Sequence, residues 1–153
     1  MRRRQRLSLI AAALVVFVIV SATLARIYSS VAAERSAVTA LVEDEARGDQ
    51  AAMLDDLYHC RSSPACRARV AEDATSLRRP GPVTVLELTV STSFPLGGDV
   101  GVTRIAWQPG HGQLPVTQCV RVRHAGNPLT GLSVQLLEVS TRIKTSGDCP
   151  SKF

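Results

Sequence analysis

From Leu7 to Ala25 the chain has no charged residue, and from Ile10 to Arg47 it has neither glycine nor proline. About nineteen residues at 1.5 Å rise cover roughly 28 Å, close to the hydrocarbon thickness of a bilayer. Secretory signal cores are shorter, about 7–15 residues, so length and the lack of helix breakers predict a retained anchor. Other absences narrow the reading further. No cysteine follows the apolar stretch in the way a lipoprotein signal requires, and no C-x-x-C redox motif occurs. There is no G-x-S-x-G elbow, no glycine-rich phosphate loop before a helix, no H-E-x-x-H and no calcium loop. Lysine is almost missing, two residues against sixteen arginines. With abundant alanine and valine, that bias points to a GC-rich bacterial genome.

What is present begins with Arg2, Arg3, Arg4 and Arg6, all ahead of the apolar stretch. By the positive-inside rule this cluster stays cytoplasmic and the chain beyond Tyr28 is exported. The competing expectation is cleavage, because Val20-Ser21-Ala22 and Val31-Ala32-Ala33 both offer small residues suited to a signal peptidase. Either route puts the body of the protein outside the cytoplasm. The net charge of +5 owes four of its eighteen basic residues to the N-terminal cluster. The remaining fourteen against thirteen acids leave the exported part almost neutral, which removes the main support for a nucleic-acid partner. Within that part, nine acids and five bases lie between Tyr28 and Leu77, and eight bases and four acids from Arg78 onward.

About 125 residues beyond the anchor suffice for one compact domain. All four cysteines, Cys60, Cys66, Cys119 and Cys149, lie in it, and an even count in an oxidising compartment predicts two disulfides. Three pairings are open. Proximity favours Cys60 with Cys66, which leaves Cys119 for Cys149. The five residues between Cys60 and Cys66 exceed the usual spacing of paired zinc ligands. No metal and no cofactor is expected.

The stretch from Ser29 to Gly48 has Val31, Val38, Leu41 and Val42 on one helical face, and can run on directly from the anchor. Asp49 caps a second helix with Met53, Leu54, Leu57 and Tyr58 on its apolar side. Ser63-Pro64 starts a third, lined by Val70, Ala74 and Leu77. Beyond Arg78–Pro82 the period changes to alternation. Leu86, Leu88 and Val90 share one face of a first strand; Ile105 and Trp107 oppose Val100 and Val102 in a second. Val116, Val120 and Val122 oppose Cys119, Arg121 and Arg123 in a third. A fourth changes phase at Leu136-Leu137, which predicts a bulge or a bend. The turns include Gly97-Gly98 and Gly110–Gly112. Helices followed by a meander of four strands define an α+β fold.

This order of anchor, three helices, Pro-Gly break and four strands resembles the nuclear-transport-factor-like, or cystatin-like, cone fold. It is similar in layout to membrane-anchored actinobacterial accessory proteins of that fold, such as the mammalian-cell-entry-associated membrane proteins. The resemblance covers residues 28–144 and implies about three helices packed on a curved, cone-shaped antiparallel sheet. Enzymes of that fold, the polyketide cyclases and ketosteroid isomerases, place Asp, His or Tyr in the pocket of the cone. The corresponding candidates here are Asp55, Asp56, Tyr58, His59 and His124. Asp55 and Asp56 flank apolar positions as a solvated helix face does, and His124 is expected to be exposed near a strand end. Arg104, Arg121, Arg123 and Arg142 would form a basic stripe if their strands align, on what is otherwise an ordinary solvated sheet face.

The expected organisation is a cytoplasmic segment at 1–6, an anchor at 7–27, a juxtamembrane helix at 28–48, the rest of the exported domain at 49–146 and a tail at 147–153. The expected function is non-catalytic: a single-pass interaction or accessory module of a bacterial cell-envelope assembly, with membrane lipid around its anchor and a protein partner. The alternative is a small-ligand binder or acid–base enzyme using a pocket.

Overall fold

A computed structural model describes residues 2–79, 81–91, 100–110, 112–127, 131–143 and 149–150. One helix, α1 (Arg2–Arg47), runs unbroken from the arginine cluster, through the apolar segment, into the body of the protein. It is long and apolar enough to cross a membrane, with a mean hydropathy of 2.4 over its apolar window. Every large apolar side chain from Leu9 to Leu24 is half exposed or more, so this stretch makes no core within the chain. Burial starts at Ser30 and repeats through Glu34, Val38, Leu41, Val42 and Glu45, the stripe of a helix packed on one side.

Gly48 ends α1 at φ +72°, a left-handed conformation, and a Cβ there would lie 2.8 Å from the Arg78 side chain. Asp49 then caps α2 (Gln50–Asp56), its side chain accepting from Ala52 N–H at 3.1 Å. A short 3₁₀ turn, Cys60–Ser62, leads to α3 (Pro64–Ser76), capped by Ser63 with proline in its first turn.

The four strands are β1 (Val83–Thr89), β2 (Val100–Pro109), β3 (Val116–Asn127) and β4 (Gly131–Val139), in the order β1-β2-β3-β4 and antiparallel throughout. The expected bulge is present: Arg121 faces Glu138 and Val122 faces Leu136, so Leu137 is the extra residue. A second bulge was not foreseen. Val85 pairs with Trp107 and Glu87 with Ala106, so Leu86 is extra, and it is 53% exposed instead of sharing the inner face with Leu88. The turn at Gly97-Gly98 lies outside the described residues, as do Lys144 and most of the tail.

The cone is overturned. Strands β1 and β4 remain two separate edges of an open sheet that is not curled or closed. Two features account for this. The edge of β4 that closure would need is occupied in part by the chain after α2: Leu57 bridges Leu136, and Tyr58 N–H donates to the Leu136 carbonyl at 2.7 Å. The inner face is also filled, by Trp107, Leu41, Met53, Leu57, Ile105 and their neighbours, so the helices rest on large side chains rather than over a hollow. The observed architecture is α+β, three helices against an open four-stranded antiparallel sheet.

Two cysteine pairs come within bonding distance. Cys60 and Cys66 join the 3₁₀ turn to α3, with a Cα separation of 5.3 Å. Cys119 and Cys149, 5.8 Å apart at Cα, bind the tail to the outer side of β3.

Candidate functional site

The inner face of the sheet carries polar groups amid its apolar ones. His124 lies in phase with Val120 and Val122, because β3 continues to Asn127, and it is buried. This corrects the expectation of an exposed His124. Its Nε2 lies 3.0 Å from Glu34 Oε2 on α1, and Glu34 is 1% exposed. Thr103 on β2 donates its hydroxyl to the other oxygen of Glu34. Just past β1, Ser91 N–H donates to Glu34 at 3.0 Å, and Ser91 Oγ lies 3.4 Å from it. One carboxylate thus joins the first buried turns of α1 to β2, to β3 and to the segment just past β1.

A second polar group lies deeper. Gln118 on β3 accepts from Trp107 Nε1 at 2.9 Å and donates to Glu45 at 2.7 Å and to the Ser140 carbonyl at 3.2 Å. Burial pushes the Glu45 carboxyl up to about 8; the Gln118 hydrogen bond opposes this and the nearby Asp73 adds to it. Burial likewise raises Asp73 to about 7, against the pull of Arg69. One oxygen of each, Glu45 Oε2 and Asp73 Oδ2, has no hydrogen-bond partner among the described residues. These observations fit a protonated Glu45 and a partly protonated Asp73 at neutral pH.

Four of the nine acids between Tyr28 and Leu77, namely Glu34, Asp44, Glu45 and Asp73, are therefore buried. The acidic excess of the stretch from Tyr28 to Leu77 thus disappears at the surface. These acids were missed because charged residues were assigned to the solvated side. The signal was present: Glu34 and Glu45 fall on the same helical stripe as Val38, Leu41 and Val42.

The remaining candidates do not converge with His124. Tyr58 and His59 are in contact, their ring centroids 4.0 Å apart, and the Arg123 guanidinium lies 5.0 Å over the Tyr58 ring. Since Arg123 and His124 are consecutive in a strand, Tyr58 and His124 stand on opposite faces of the sheet. Asp55 is exposed and paired with Arg61 at 2.6 Å. Asp56 is half-buried, its carboxyl raised by burial and by Asp55, with Arg47 opposing. Tyr58, His59, Arg121 and Glu138 border an open cavity of about 320 Å³, and Asp55 a neighbouring one of about 350 Å³. His59 alone among the described non-glycine residues has a positive φ, 58°.

The basic stripe is partly assembled. Arg121 pairs with Glu138 at 3.1 Å, Arg123 binds Gln135, and Arg142 donates to the Pro115 carbonyl, while Arg104 faces Cys119 across the sheet.

Chemically, the Glu34 cluster is a clamp. A nucleophile needs a base within hydrogen-bond reach, but here the carboxylate stands between Ser91 and His124, and both Glu34 and His124 are closed to solvent. No group of three or more His, Cys, Asp or Glu among the described residues is arranged to hold a metal ion. No protein-family model, no curated protein and no solved structure matches the chain.

Proposed function

We propose that the chain is a single-pass, membrane-anchored extracytoplasmic protein that serves as a non-catalytic interaction or accessory module of a bacterial cell-envelope assembly. The observation that carries this reading is α1, one helix that leaves the apolar side chains from Leu9 to Leu24 exposed and whose second half is a core element of the domain. The arginines at its start favour a cytoplasmic N-terminus. The paired cysteines fit an oxidising compartment. The filled inner face and the separation of Asp55, Tyr58 and His59 from His124 support a binding role over acid–base catalysis.

The test is photo-crosslinking from the open outer face of the sheet, at Val102, in native membranes. A discrete protein adduct supports the reading. Recovery of bulk lipid and random neighbours alone counts against it. Alkaline extraction and protease protection report separately on the anchor and its orientation.

A further inference from the structure

The anchor and the domain share one helix, and two hydrogen-bonded contacts fix how the sheet lies along it. Glu34 meets His124, and eleven residues further on Glu45 meets Gln118. The first step is about 16 Å along a helix. On β3 the same two partners lie six residues apart in the opposite order, about 20 Å along a strand. Helix α1 and strand β3 therefore run side by side in opposite directions. The end of the sheet formed by the finish of β3 and the start of β2 points back toward the apolar segment. The pairs Ala125–Ser133 and Gly126–Leu132 of β3 and β4 lie furthest that way, and Val100 and Arg123, which face each other across β2 and β3, sit about 7 Å behind them, level with Glu34.

The spacing between span and domain is short. Ser30, the first buried residue of the domain, is five residues past Ala25, about 7.5 Å along the helix. The headgroup layer on each side of a bilayer is itself about 5–8 Å thick. No glycine or proline interrupts the connection, and the hydroxyls of Ser29 and Ser30 are bonded to the Arg26 and Ile27 carbonyls of the same helix, each at 2.8 Å. A stiff link this short leaves no room for a water-filled gap.

The chemistry of this end agrees. Tyr28, 74% exposed, and the exposed Arg26 mark the interfacial level. Arg35 is exposed, Arg123 is half-buried, and Val100 is 49% exposed. Of the acids nearby among the described residues, Glu34 is buried under His124, and Glu138 is bound to Arg121. The surface between span and sheet thus carries Arg26, Arg35 and Arg123, suited to lipid phosphate.

We infer that the domain is seated on the outer surface of the bilayer, with the β3–β4 end of the sheet, at Ala125, Gly126 and Ser133, in contact with the lipid headgroups. This rests on the membrane-anchored reading above and adds a second, domain-borne contact to the one made by the span.

The experiment uses the full chain in nanodiscs of phosphatidylcholine and phosphatidylglycerol, with a nitroxide on the phosphatidylcholine headgroup as quencher. A fluorophore is placed on Val100→Cys, on Ser133→Cys near the same end of the sheet, or on Glu72→Cys on α3, with the native disulfides left oxidised. The two sheet-end labels are expected to be quenched several-fold more than the label at position 72, and either serves if the other variant misfolds. Seven helical residues inserted after Tyr28, raising the domain by about 10 Å, should abolish the difference. Equal, weak quenching at all positions in protein that resists alkaline extraction overturns the seating and leaves the anchor intact. Release of the protein by alkali overturns both.

Discussion

Glu34 and His124 meet at 3.0 Å with almost no solvent access to either, which joins the first buried turns of α1 to the inner face of β3. The contact matters because each partner is costly to leave alone in the interior.

Replacing His124 by leucine strips Glu34 of that partner while keeping it buried. His124→Leu is expected to destabilise the protein by about 3–5 kcal/mol. Adding Glu34→Gln should restore part of the loss. Urea unfolding of the two single variants and the double variant measures the coupling. Strictly additive single effects would show that the two groups act independently.

Glu45 and Asp73 make stability fall toward alkaline pH. Their folded carboxyls hold protons up to about 8 and about 7, whereas in an unfolded chain they ionise near the ordinary values of 4.5 and 3.8. The folded state binds more protons between those limits, so its stability is greatest below the ordinary values and declines as pH rises through the folded ones. Unfolding midpoints compared at about pH 5 and about pH 9 should differ clearly, and Glu45→Gln should flatten the portion between about 7 and 8. A midpoint independent of pH over that range would exclude buried neutral acids.

The Cys119–Cys149 pair closes the longer loop, thirty residues against six for Cys60–Cys66. Loop entropy assigns it about 3–4 kcal/mol. Cys149→Ser should therefore lower the unfolding midpoint more than Cys66→Ser does. Thermal unfolding with and without reductant provides the comparison, and the reverse order would mean that strain or packing outweighs chain entropy.

Gly48→Ala tests the junction between α1 and α2. It combines a left-handed φ of +72° with a Cβ placed 3.0 Å from the Ala74 carbonyl and 2.8 Å from Arg78 Cδ. A loss of about 1–2 kcal/mol is expected. An unchanged midpoint would require that Arg78 and α3 move away freely.

The strands were legible in the sequence wherever alternation was unbroken, as at Ile105, Trp107 and Val116 to Val122. A bulge was legible at Leu136-Leu137 because two apolar residues adjoin there. The bulge at Leu86 was not, since Val85 and Leu86 are equally apolar and only pairing with Trp107 and Ala106 decides which turns outward. The caps at Asp49 and Ser63 announced themselves by residue type. His124 was misplaced for want of the true end of β3, although its phase with Val122 indicated burial. The cone could not be settled from element order, because whether a sheet curls depends on its edges and its filling. The Glu34 clamp draws together residues far apart in the chain, and only the fold brings them into contact.

Because α1 carries the exposed apolar segment and the core stripe in one unbroken helix, nothing between the two can swivel. If that segment lies in a bilayer, as proposed above, its tilt or rotation is delivered without slack to the Glu34 and Glu45 contacts. Movement of such a bilayer would thus be felt inside the folded body, by a lever whose fulcrum lies at its surface.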